Sequence, residues 1–179
     1  CGTADTDTYS DGIPDCIDCG DPDDPNDGIH AYPCEYTSIQ AAIDAAAPGD
    51  VVLIDAGEYQ LPAMLDFGTQ DVQLIGESDP VTGEPLTVLY AATNSRTMQM
   101  VGGQSDATVL EHIIIDGSNS AVAGGIYMLG TASPGPRLTN CIIRNCTWNS
   151  HGAGLRLNNA HPNLIGCTIE SCTSLSDSM

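Results

Sequence analysis

The feature that most constrains this chain is a repeat. Three stretches align without gaps: Val109-Leu-Glu-His112-Ile-Ile114-Ile-Asp-Gly117, Leu138-Thr-Asn-Cys141-Ile-Ile143-Arg-Asn-Cys146 and Leu164-Ile-Gly-Cys167-Thr-Ile169-Glu-Ser-Cys172. The steps between them are 29 and then 26 residues, and Ala123-Gly-Gly125-Ile126 returns as Gly152-Ala-Gly154-Leu155 on the same 29-residue step. A period of roughly 20–50 residues marks a solenoid or an array. Short apolar strands are expected at 51–54, 72–75, 86–90, 98–101, 109–115, 126–129, 138–143, 155–157 and 164–169, separated by Gly, Asn, Asp and Ser turns. No helical pattern lies between them, which excludes βαβ units. One such coil cannot bury its apolar side chains, but stacked coils can. The pattern predicts an all-β parallel β-helix, with like residues stacked about 4.8 Å apart.

A helix is expected ahead of the first strand. Thr37-Ser-Ile-Gln40 reads as a capping box, and Ile39, Ala42, Ile43 and Ala46 fall on one helical face. Pro48-Gly49-Asp50 ends the segment. The capping helix, 37–47, would close the N-terminal mouth of the solenoid. Nothing equivalent follows Ile169, so the other end is expected to be an open coil, a template for more strand pairing: either the chain is the front of a longer polypeptide or another subunit stacks there.

Pro-Gly-Asp-Val-Val-Leu-Ile-Asp-Ala-Gly-Glu-Tyr at 48–59 resembles the opening coil of secreted bacterial right-handed parallel β-helix proteins of the pectate-lyase-like superfamily. The Cys/Ile/Asn repeat resembles their later coils, so the likeness covers residues 36–179. It implies a right-handed parallel β-helix and a secreted or cell-surface, bacterial setting. It is weak for function, because this scaffold hosts lyases, hydrolases, epimerases and adhesins. Enzymes of the superfamily use a calcium-holding carboxylate cluster with an Arg or Lys base, or carboxylates on neighbouring coils. Here Glu111, Asp116 and Glu170 are spread along the chain, and Arg96, Arg137, Arg144 and Arg156 are the only strong bases. That sparseness assigns no catalytic residue. The alternative is a carbohydrate-active or polysaccharide-binding β-helix, for which Tyr127 and Trp148 are the only aromatic candidates in the later coils.

Residues 1–35 have a different chemistry. Nine Asp fall within the first 30 positions, among Gly and Pro. In Asp7-Thr-Tyr-Ser-Asp11-Gly12-Ile-Pro-Asp15-Cys-Ile-Asp18 the carboxylates recur around a glycine, as a calcium loop requires. The segment resembles the calcium loops of thrombospondin type 3 repeats, DxDxDGxxD: Asp7, Asp11, Gly12 and Asp15 match, and Tyr9 stands where an acid is usual. The candidate calcium ligands are Asp5, Asp7, Asp11, Asp15 and Asp18. Asp23 and Asp27, within Asp21-Pro-Asp-Asp-Pro-Asn-Asp27, belong to a second site or to a charged spacer. The whole chain has 24 acidic residues against 4 Arg, no Lys, and a formal net charge of −20. That excludes nucleic acid and an anionic membrane surface as partners and favours cations. No apolar run approaches the roughly 20 residues of a membrane span.

The eight Cys split into Cys1, Cys16, Cys19 and Cys34, then Cys141, Cys146, Cys167 and Cys172. An even count suits an oxidising compartment. Zinc at Cys16-Ile-Asp-Cys19 lacks a second ligand pair, so the N-terminal four are disulfide candidates, with Cys1 alternatively a lipid-carrying first residue. On the 29-residue alignment His112, Cys141 and Cys167 share one column, and Gly117, Cys146 and Cys172 another. His112 is expected to line the core rather than bind a ligand. Stacked side chains point the same way, so 141/167 read as free inward thiols; 146/172, next to turns, can bridge.

These readings converge on an extracellular structural β-solenoid, braced by calcium. It would assemble end to end as a homopolymer filament or belong to a larger adhesin.

Overall fold

The computed structural model describes residues 29–33 and 35–175. Cys1, Cys16, Cys19, Cys34 and the expected ligands Asp5, Asp7, Asp11, Asp15, Asp18, Asp23 and Asp27 lie outside the described residues.

The chain enters through β1 (Ile29–Tyr32) and α1 (Ile39–Ala45). A first coil follows with β2 (Val51–Ile54), β3 (Gly57–Gln60) and β4 (Leu65–Asp66), and a second with β5 (Gln73–Gly76), β6 (Thr87–Tyr90) and β7 (Ser95–Met100). The third holds β8 (Val109–Glu111), β9 (Ile113–Asp116) and β10 (Ala123–Leu129). Next come β11 (Arg137–Thr139), β12 (Ile142–Arg144), β13 (Thr147–Trp148) and β14 (Leu155–Asn158). The last coil is β15 (Asn163–Ile165), β16 (Thr168–Glu170) and β17 (Thr173–Ser174).

These strands build three sheets along the walls of a β-solenoid. Their orders are β1-β2-β5-β8-β11-β15, β3-β6-β9-β12-β16 and β4-β7-β10-β13-β17, with β14 also on β10. From β2 to β15 the chain makes about four turns. Among the described residues the named strands pair in parallel with their neighbours, apart from the antiparallel bridge of β10 to β13, Ala123 to Thr147. The expected parallel β-helix is the observed architecture, and β1 already belongs to its first sheet.

Two expectations need correction. Three long strands, 109–115, 138–143 and 164–169, are each two strands meeting at a corner. The corner residues His112 (φ 51°), Asn140 (φ 50°) and Gly166 (φ 62°) are left-handed and turn the chain from the first sheet to the second. The register also differs. Leu138 pairs with Leu110 and Ile142 with Ile114, a 28-residue step between these coils rather than 29. The 29-residue step holds for Ile126 and Leu155, because one extra residue enters between β12 and β14. A slip of one residue turns a side chain to the other face of a strand. His112 therefore leaves the cysteine column and stands over Asn140, whose amide donates to its Nε2 at 3.2 Å. Ile113 takes its place under Cys141 and Cys167. Gly117 likewise donates its N–H to the Arg144 carbonyl at 3.0 Å, which sets it in register with Asn145 rather than Cys146.

The core is a set of aliphatic ladders. Val52, Leu74, Leu110 and Leu138 stack from the first sheet, and Leu89, Ile115 and Ile143 from the second. Met100 and Met128 stack from the third. All nine are fully buried. The helix α1 covers the mouth with Ile39, Ala42 and Ile43. Its N-cap is Ser38, whose Oγ accepts from the Ala41 amide at 3.1 Å, not Thr37. Ser38 is the residue with the extended backbone that a cap needs.

Candidate functional site

The ladders are interrupted at one level. Leu164 continues the column of Leu138, Ile169 that of Ile143, and Leu157 that of Met128. Their predecessors are fully buried, yet Leu164 is 42 %, Ile169 46 % and Leu157 46 % exposed. Among the described residues nothing lies over this coil. The strands β15, β16 and β17 end their sheets, so the outward N–H and C=O groups of these strands have no strand partner there. At the opposite mouth β1 and α1 cover the first coil.

Charge is divided along the same axis. Residues 29–116 hold 13 acidic residues and one Arg, Arg96. Residues 117–175 hold Arg137, Arg144 and Arg156 against a single acid, Glu170. Arg144 is already committed. Its Nε donates to Asp116 Oδ2 at 2.6 Å, and the Asp116 carboxylate also accepts from the Ser118 amide and the Asn145 side chain. Burial works to raise the Asp116 carboxyl, and these donors outweigh it, so the group sits below the ordinary carboxylate range. Asp116, Arg144 and Glu170 thus form one column, where the sequence alignment had put Asp116 with Asn145 and Ser171.

Arg96, Arg137 and Arg156 have no carboxylate partner among the described residues. Arg156 lies on β14 directly beside Tyr127 of β10, its guanidinium 5.4 Å from the ring centre. Arg96 is buried, 4.7 Å from the Trp148 ring and 5.9 Å from Tyr127. It donates to the carbonyls of Gly152 and His151 at 2.9 and 3.2 Å. Burial, and then the like charge of Arg156, hold its pKa below the usual arginine value. Arg137 is exposed at the start of β11, its Nε on the Asp106 carbonyl at 3.1 Å. Arg156 is thus the partly exposed cation on the Tyr127 ring, held there by the attraction of a guanidinium for an aromatic face. The signal was present in the sequence: aligning Ile126 with Leu155 aligns Tyr127 with Arg156.

The thiols line the same end. Cys141, Cys146, Cys167 and Cys172 are free. Thr168 N–H bonds to the Cys141 carbonyl at 2.9 Å and Thr173 N–H to that of Cys146 at 2.8 Å, so Cys167 stacks on Cys141 and Cys172 on Cys146. Hydrogen bonding between Cys141 and Cys167, ahead of burial, raises the Cys141 thiol, and the same bond lowers Cys167 to about 6. Burial, and then Cys172, raise Cys146. The acids singled out from sequence do not gather: Glu111 lies 3.7 Å from its neighbour His112, and Asp116 is spent on Arg144. No group of three or more metal-ligating side chains is found among the described residues. None of the helices is long and apolar enough to cross a membrane among the described residues.

Searches against protein-family models, curated proteins and solved structures find no match to this chain.

Proposed function

We propose that this chain is a structural β-solenoid module of the cell exterior that assembles end to end, its Asp-rich N-terminal segment braced by calcium. The observation that carries the reading is the coil that no described residue covers: Leu157, Leu164 and Ile169 continue ladders that are fully buried one level down. Covering these half-exposed side chains is worth about 1 kcal/mol each. That is less than the roughly 4–15 kcal/mol that association costs in lost freedom. A joint between copies therefore also needs the backbone edges of β15 to β17 and favourable charge. The extracellular and calcium parts of the reading rest on the cysteine count and on the spacing of Asp7, Asp11, Asp15 and Asp18.

Sedimentation velocity and negative-stain microscopy test it, on the purified chain with calcium and with EDTA. Coaxial chains of particles in calcium that shorten on chelation are the expected result. Compact single particles at every concentration, unchanged by EDTA, would overturn it.

A further inference from the structure

We infer that Cys141 and Cys167 are a redox-active pair: a low-molecular-weight disulfide converts the two stacked thiols into a reversible bridge that fastens the last coil to the one beneath it. The inference goes beyond end-to-end assembly and does not depend on it.

The backbone puts the two residues together. Cys141 lies at the corner between β11 and β12, and Cys167 at the corner between β15 and β16. Each follows a left-handed residue, Asn140 or Gly166, so both enter the core in the same way. Ile142 pairs with Thr168, and the Thr168 N–H bonds to the Cys141 carbonyl at 2.9 Å, which sets the two cysteines in register on neighbouring parallel coils. Strand spacing then separates their Cα atoms by about 4.8 Å, inside the roughly 4.4–6.8 Å that a disulfide spans. The thiols are free and within hydrogen-bonding reach of each other.

Their exposures assign the roles. Cys141 is 1 % exposed, beneath the coil that carries Cys167. Cys167 is half-buried and belongs to the coil that no described residue covers. A reagent from solvent therefore meets Cys167 first, with Cys141 in contact below it. Redox-responsive cysteines have this arrangement: an accessible thiol with thiolate character, beside a second thiol that resolves the first adduct. The bond from Cys141 supports it, as the leading influence holding Cys167 at about 6, and Cys141 is the one titratable group among the influences on Cys167. In the other stacked pair burial, rather than the partner thiol, leads in raising Cys146, so the assignment is to Cys141 and Cys167.

The exchange balances with a disulfide RSSR as oxidant. The Cys167 thiolate attacks one sulfur of RSSR; a bond to that sulfur forms, the bond within RSSR breaks, and RS⁻ leaves. The Cys141 sulfur then attacks the Cys167 sulfur, and its proton passes to the second departing RS⁻. The first RS⁻ takes up the proton that Cys167 had lost. Two protein thiols are oxidised and one RSSR is reduced to two RSH. Capping Cys167 removes the sulfur whose hydrogen bond and charge raise the Cys141 thiol, which eases the second step. Side chains stacked in register point the same way, so their Cβ atoms stand near the strand spacing of about 4.8 Å. A relaxed disulfide has them roughly 3.5–4.5 Å apart. The bridge therefore draws the coils together under strain, and strained disulfides are readily reduced.

Peptide mapping of the full chain tests the pair. The protein is reduced, freed of reductant and incubated in dilute solution with oxidised glutathione, then quenched in acid and alkylated. Trypsin and a glutamate-specific protease, cutting after Arg137, Arg144, Arg156 and Glu170, put Cys141, Cys146, Cys167 and Cys172 on four separate peptides. An early glutathione adduct on Cys167 is expected, followed by a link between peptides 138–144 and 157–170 that excess reduced glutathione releases in the folded chain. In Cys141→Ala the adduct on Cys167 is expected to accumulate and the link to be lost. Amide exchange in β15 and β16 is expected to slow in the bridged parent; unchanged exchange would show that the bridge fastens nothing. No link in the parent, with Cys167 left free or capped, would overturn the inference, as would a link from Cys167 to any other cysteine. A Cys141–Cys167 link that resists excess reduced glutathione would be a permanent disulfide, and reversibility would fall. The parent chain alone decides these outcomes, so they stand even where Cys141→Ala does not fold.

Discussion

His112, Asn140 and Gly166 stand at successive corners with φ between 50° and 62°. Glycine takes this conformation freely and Asn, Asp and His more readily than other residues, because a Cβ crowds the following carbonyl. The corner also decides which residue comes next into the core: Ile113, Cys141 and Cys167 each follow a left-handed residue. Asn140→Gly is expected to leave the melting temperature within about 2 °C of the parent, whereas Asn140→Val costs about 1–2 kcal/mol of stability in urea unfolding. Asp116 acts through charge. Its carboxyl is held below the ordinary value of about 3.9, so its contribution is present above that pH and is lost as pH falls through the folded-state value. Asp116→Asn is expected to cost about 1–3 kcal/mol at pH 7. Thermal melts from pH 7 to pH 2.5 should show the gap between parent and variant closing below about pH 4; a gap of constant size would remove the ion pair from the account.

At the scale of elements, the strands are too short to be stable singly and are held by what stacks above and below them. Gly125 lies where a Cβ would run into the backbone carbonyl of Gly154 on the next coil. At Gly154 the nearest obstacles are the side chains of Cys172 and Ile169 at the open end, which can move. Gly125→Ala is therefore expected to cost about 2–3 kcal/mol, as an overpacked core site does, and Gly154→Ala less than about 1 kcal/mol. Equal costs in denaturant unfolding would mean that β10 and β14 do not pack as closely as described. Among the described residues the helix α1 is the one element that breaks the strand pattern. It forms because Ser38 caps it and Ile39, Ala42 and Ile43 find the apolar mouth of the first coil; seven residues would not hold a helix without that surface.

For the whole molecule, one ladder tests the difference between the closed and open ends. Leu138 and Leu164 are neighbours in the same column, one fully buried and one 42 % exposed. Leu138→Ala is expected to cost about 2–5 kcal/mol. Leu164→Ala should cost under about 1.5 kcal/mol in the monomer and weaken association instead. A Leu164→Ala cost matching that of Leu138→Ala, at concentrations where the chain is monomeric, would show that the last coil is covered within the chain.

The repeat alone determined the solenoid: apolar residues returning every 26 to 29 positions can be buried only by stacking, and the absence of helical spacing leaves parallel strands as the stack. The identity of the core ladders followed for Leu138/Leu164 and Cys141/Cys167, where the step was constant. It did not follow for His112 or Asp116. A coil can gain or lose a residue at a corner without disturbing the apolar pattern on either side, so sequence spacing leaves the register between β8 and β11 open by one. Backbone pairing closes that gap, and with it decides that Asp116 meets Arg144. Contacts between coils depend on which residues lie 4.8 Å apart along the axis, and only the folded chain sets that distance.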